Sequence, residues 1–306
     1  MDRTEKYYWQ RFGDLDFDHK IHFTTRLYNF AGDARAGDEL KILGREFAQA
    51  ELDEILQGFY DKPFDEKSRF WEMRKSAFEK YPRIQFVDLA LSRLMRLRDN
   101  FGVDKLDVLY EYMPKEEFVA ILDELRTDDE SFKRLSTLAV TVVCMGSRML
   151  YGDTRLVDYE RIWKIGEGYD LDNPVELSLL FYLYTHCPIY ESGLYMKEIP
   201  DEHLEVFRKM LGRLDELVMA RTGEISLDNK LELLVCCEMC GYAAKCRDMV
   251  MGECDRSMKG TDEEYLVDKE NAFFGVTGTG LNESEHRNVL YVLSGKKYKP
   301  CAEVAV

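Results

Sequence analysis

The chain has 306 residues, 45% of them apolar and 33% charged, a balance that suits one large globular domain or two with a sizeable core. A net charge of −16 sets the surface against phosphate backbones and anionic headgroups, which excludes nucleic acid and membrane as expected partners. Seven prolines and twenty glycines are few for this length and favour helices over turn-rich β architecture.

From the start, MDRTEKYYWQRFGDLDFD carries acids from its second residue and no apolar run, unlike a secretory leader. Residues 39–59 follow as one helix, with Leu40, Leu43, Phe47 and Ala50 in phase and Ile42, Leu52, Ile55 and Leu56 widening the stripe. Residues 83–98 repeat the pattern between Pro82 and Gly102, which suit a helix start and stop. Pro114 opens the next helix, with Phe118, Ile121, Leu122 and Leu125 on one face. After TDDE a single helix is expected over about 131–150. Its weakly polar stretch, Leu135 to Gly146, falls far short of the ~20 residues that span a bilayer.

Asn173 and Pro174 form an N-cap and first-turn pair for VELSLLFYLYTHC, apolar on all sides and therefore central, with Pro188 as its expected end. Residues 201–220 run to Gly223, and Ser226 or Asp228 caps LDNKLELLVCCEMCGYAAK. The chain then changes character. Gly275, Gly278 and Gly280 break helical period, and Val289–Leu293 and Glu303–Val306 read as short strands around SGKK. The expected organisation is a helical array over 1–260 and an irregular C-terminal extension over 261–306.

Five of the eight cysteines crowd VCCEMCGYAAKCRDMVMGEC. A zinc or iron–sulfur site needs three or four converging thiolates, and Cys237, Cys240, Cys246 and Cys254 are the candidate ligands. On a continuous helix Cys246 turns away from Cys240 unless the helix stops first, and no second CxxC pair completes a set. Burial as core thiols is the competing reading. Without a leader, eight cysteines point to reduced thiols and a cytoplasmic protein.

His19-x-x-His22 after Asp14, Asp16 and Asp18 reads as a capped helix start with solvated imidazoles. Glu283-x-x-His286 resembles half of a di-iron carboxylate site whose other half is missing. His186 and Cys187 are adjacent but point ~100° apart on a helix. Gly275 to Gly280 lacks the lysine and hydroxyl of a phosphate loop. Tyr182, Tyr184, Tyr190 and Tyr195 are the binding candidates, as residues able to line a groove between helices with rings and hydroxyls.

Two segments, Val175 to Cys187 and Leu227 to Tyr242, resemble the paired helices of an uncharacterised prokaryotic all-helical family, in which a Tyr/Leu-rich helix precedes a Leu-rich one. Leu177, Ser178 and Phe181 to Leu183 match the first and Leu231 to Val235 the second, while the first motif's histidine falls at Leu179 and is missing. The resemblance implies a helical array and carries no catalytic residue over.

The expected fold is all-α, antiparallel helical hairpins stacked as an irregular solenoid or α/α toroid. The expected function is a scaffold without enzymatic activity or cofactor, binding a peptide or protein on its concave face or through its tail. The alternative is a metalloprotein or enzyme, with zinc or an iron–sulfur cluster at the cysteines or a site among the tyrosines.

Overall fold

A computed structural model describes residues 2–49, 52–259, 264–269 and 277–301. Among these residues the chain forms sixteen α-helices and one two-stranded antiparallel ribbon, so the fold is all-α. It divides into two compact units, Met1–Leu40 with Ser192–Ala302, and the continuous stretch Lys41–Glu191. No helix of the described residues is long and apolar enough to cross a membrane.

The first helices are α1 (Asp2–Gln10), α2 (Phe17–Ala31) and α3 (Ala34–Gln49). Asp16 starts α2 by accepting the His19 N–H, and Gly32 ends it in the left-handed region at φ 63°, which an L side chain rarely adopts. The expected single helix over 39–59 falls in α3 and α4 (Leu52–Tyr60), on either side of residues 50–51, which lie outside the described residues. Leu40, Leu43 and Phe47 are buried as the stripe requires, but Ile42 is 66% exposed.

The second unit continues with α5 (Trp71–Lys80), α6 (Ile84–Phe101), α7 (Leu109–Tyr112), α8 (Lys115–Leu125) and α9 (Asp129–Leu135). It closes with α10 (Thr137–Tyr151), α11 (Tyr159–Gly166) and α12 (Pro174–Glu191). Buried α10 packs against α6, α8 and α12, and α12 also meets α11. Where one helix was expected over 131–150 there are two. Ser136 holds φ 52° between α9 and α10, and its hydroxyl donates 2.7 Å to the Leu179 carbonyl, a bond that fixes the break. Conversely, Pro188 does not end α12. It removes one donor in the last turn, and burial of Cys187, Ile189 and Tyr190 around it carries the helix on to Glu191.

The first unit resumes with α13 (Asp201–Arg221), α14 (Leu227–Met239), α15 (Arg247–Ser257) and α16 (Glu285–Ser294). Val289–Leu293, expected as a strand, is the centre of α16. A short run buried on all sides has no period to tell strand from helix, and here packing against α1, α2 and α14 decides. Contact in this unit is therefore not confined to neighbours in sequence. The ribbon pairs Met258–Lys259 with Tyr265–Leu266, and the Asn288 side chain on α16 gives and takes a hydrogen bond with the Leu266 backbone. The expected strand at Glu303–Val306 lies outside the described residues, as do Gly275 and Val276.

Candidate functional site

Packing of α16 on α2 and α14 gathers five ionisable side chains from three distant stretches of chain. His22 faces inward from α2, with Nδ1 2.6 Å from Oε2 of Glu285, the first residue of α16. One residue on, His286 holds Nδ1 3.3 Å from Oδ1 of Asp228 on α14. The two imidazoles face each other at 5.4 Å between ring centres. Arg287 completes the set, donating Nε and Nη2 to Oδ2 of Asp228 at 3.1 and 2.6 Å.

Local sequence explains each placement. Ser226, not Asp228, caps α14 by accepting the Asn229 N–H, which leaves the Asp228 carboxylate for His286 and Arg287. Asn282 receives the Asp16 N–H, and Tyr8 from α1 donates to the Leu281 carbonyl and bonds the Ser284 hydroxyl. Those bonds hold the start of α16 against α1 and the beginning of α2.

The two carboxylates are set in opposite states. Burial pushes Glu285 up to about 8, against the nearby positive charge of Arg26, and its Oε1 accepts no hydrogen bond among the described residues. Burial also works against Asp228, yet the bonds and charges of His286 and Arg287 hold it down at about 2. Asp228 is thus held as an anion, whereas burial favours the protonated form of the Glu285 carboxyl bonded to His22. His22 and His286 retain 21% and 39% exposure of their side chains, so both pairs can reach a solute. An anionic carboxylate bonded to one imidazole, beside a buried carboxyl bonded to a second, is a set of groups of the kind that general acid–base chemistry uses.

The other candidates are placed differently. His19 stays at the surface on the Asp16 cap, as expected of it, but His22 is not a solvated imidazole. Glu283 accepts the Gly280 N–H, and the glutamate bonded to a histidine is Glu285, two residues later. Tyr182, Tyr184 and Tyr190 lie on α12, and Tyr195 follows it. Tyr184 and Tyr195 are 0% and 2% exposed, Tyr184 donates to the Trp163 carbonyl at 2.7 Å, and Tyr195 belongs to the other unit from the rest. Tyr182 and Tyr190 flank the His186 ring at 6.0 and 5.6 Å, while Cys187 turns away and donates to the Leu183 carbonyl.

The cysteine-bearing helix does stop early. Cys240 caps α14, Gly241 at φ 59° reverses the chain, and Cys246 begins α15, where the buried Asp215 carboxylate accepts its N–H at 2.9 Å. Cys237, Cys240, Cys246 and Cys254 are all buried, and burial raises their thiols, to about 12 for Cys240 and Cys254. The described residues hold no group of three or more His, Cys, Asp or Glu side chains placed for a metal ion.

The sequence shows His22 as a solvated imidazole and His286 as half of an incomplete site, and it pairs neither with its partner, since Glu285 and His22 are 263 positions apart. The one local signal is the polar stretch NESEHRN, which places Glu285, His286 and Arg287 directly before the apolar run Val289–Leu293. No protein-family model matches the chain, and neither the curated proteins nor the solved structures offer a match.

Proposed function

We propose that the first unit is a general acid–base enzyme acting on a small polar substrate through the two facing carboxylate–imidazole pairs. The carrying observation is the 5.4 Å separation of the His22 and His286 rings, each imidazole bonded at Nδ1 to its own carboxylate. Asp228 fixes His286 with its proton on Nδ1, so that Nε2 serves as base toward water or a substrate hydroxyl or amide. The His22–Glu285 pair supplies or stores the second proton. Hydrolysis through an activated water is the reaction class that needs no further nucleophile. The eight cysteines, free and mostly buried, support a reducing, cytoplasmic setting.

Nitrogen-15 NMR of histidine-labelled protein tests the arrangement, and turnover of a panel of nitrophenyl esters, phosphates and glycosides tests the activity. The expected results are a His286 tautomer protonated at Nδ1 and turnover abolished by His286→Gln. A His286 proton on Nε2, together with no turnover of any panel member above the buffer rate, overturns the proposal. The scaffold reading gains little by comparison: the large apolar side chains exposed among the described residues are Ile42, Tyr151 and Met219, on three different helices.

A further inference from the structure

The second unit contains a cavity of about 240 Å³ between α5, α6 and α10, unconnected with the chemistry above. One wall is aromatic. Phe70, Trp71 and Phe78 line it, and Phe64 backs Phe78 with its ring stacked at 4.0 Å. A guanidinium and a carboxyl group share the same small space. Arg74 lies over the Phe70 ring at 4.8 Å, its Nε out of water and without a hydrogen bond among the described residues. Asp88 lines the cavity from α6, where burial pushes its carboxyl up to about 7 against a hydrogen bond with Thr141 and the charge of Arg74, yet among the described residues it forms no direct ion pair with Arg74. Lys62 stands exposed at the rim.

These observations restrict the ligand. Arg74 keeps a buried Nε without a partner and Asp88, held by Thr141, makes no ion pair with it, so both can still bond a ligand, and a buried polar group without a partner is costly. A ligand with a single charge satisfies one and desolvates the other. A ligand with both signs satisfies both, and its apolar part meets the rings. The volume lies below the ~300–1,000 Å³ that drug-sized ligands fill, which sets the size at that of a single building block. We propose that this cavity binds a free α-amino acid with an apolar side chain, its carboxylate on Arg74, its ammonium on Asp88 and its side chain against Phe70, Trp71 and Phe78.

Titration calorimetry on the full chain tests this with L-phenylalanine, L-tryptophan and L-leucine, and with two half-ligands, phenethylamine and 3-phenylpropanoate. Saturable binding of at least one amino acid is expected. Each half-ligand should bind at least about tenfold more weakly than phenylalanine, since each forfeits one charge-assisted contact. Arg74→Gln should erase the preference for phenylalanine over phenethylamine, and Asp88→Asn the preference over 3-phenylpropanoate. If either variant fails to fold, the half-ligand series on the unaltered protein decides alone. No heat with any amino acid at millimolar concentration, or half-ligands binding as tightly as phenylalanine, overturns the proposal.

Discussion

Lys230 on α14 places Nζ 2.8 and 2.6 Å from the two carboxylate oxygens of Glu253 on α15, with both side chains almost wholly out of water. Charges removed from water to this degree are stable only as a pair, because either one alone keeps its desolvation cost. Lys230→Met should therefore destabilise the protein by about 3–5 kcal/mol, whereas the double variant Lys230→Met/Glu253→Met should lose much less. Urea unfolding of the two single variants and the double variant measures the difference. A double variant as unstable as the sum of the singles would contradict the pairing.

Glu285 makes stability depend on pH. Burial raises its carboxyl from 4.5 to about 8, so the folded state holds a proton that the unfolded chain has already lost. That contribution is fully present below about pH 4.5 and is lost as pH rises toward 8, with a slope of at most about 1.4 kcal/mol per pH unit. Glu285→Gln should flatten the urea midpoint across this window relative to the unaltered protein. Parallel midpoint curves for the two proteins would refute it.

Gly166 ends α11 directly beneath the Tyr184 ring. A Cβ at that position would overlap the ring and its hydroxyl, and the ring is itself stacked on Trp163 and bonded to the Trp163 carbonyl. Gly166→Ala should cost about 1–3 kcal/mol through overpacking. Adding Tyr184→Leu should recover part of that loss by clearing the space. Thermal melting of the two variants reads the outcome, and no recovery in the double variant would show that the clash lies elsewhere.

Seven of the eight cysteines are buried, and only Cys301 is partly accessible. Thiol titration of native protein should accordingly show one fast-reacting group, absent in Cys301→Ser, with the other seven released on unfolding. Rapid reaction of two or more thiols in the native protein would mean that the α14–α15 corner opens.

Helix type was legible wherever amphipathic period and caps agreed, as at α6 between Pro82 and Gly102 and at α14 after Ser226. It failed where tertiary contacts overrode local preference. The Ser136 break depends on a carbonyl 43 positions away, and α16 is helical because of what surrounds it. The candidate site fared likewise. His22 and His286 stood out as residues, but their roles are set by Glu285 and Asp228, which reach them only through the packing of α2, α14 and α16. Cysteine density, the most conspicuous local signal, marked a helix corner in the core.

The order in which the two units occur along the chain affects how this protein is made. Among the described residues the second unit is the continuous stretch Lys41–Glu191, whose helices can pack as they leave the ribosome, whereas α1 and α2 must wait for α16, which is synthesised far later. At ~5–20 residues per second that delay lasts on the order of ten seconds or more. Throughout it, Tyr8, Ile21, Phe23 and Leu27, all fully buried in the finished protein, have no α16 to cover them. Helices α1 and α2, the second of which carries His22, thus wait uncovered until α16 has been made.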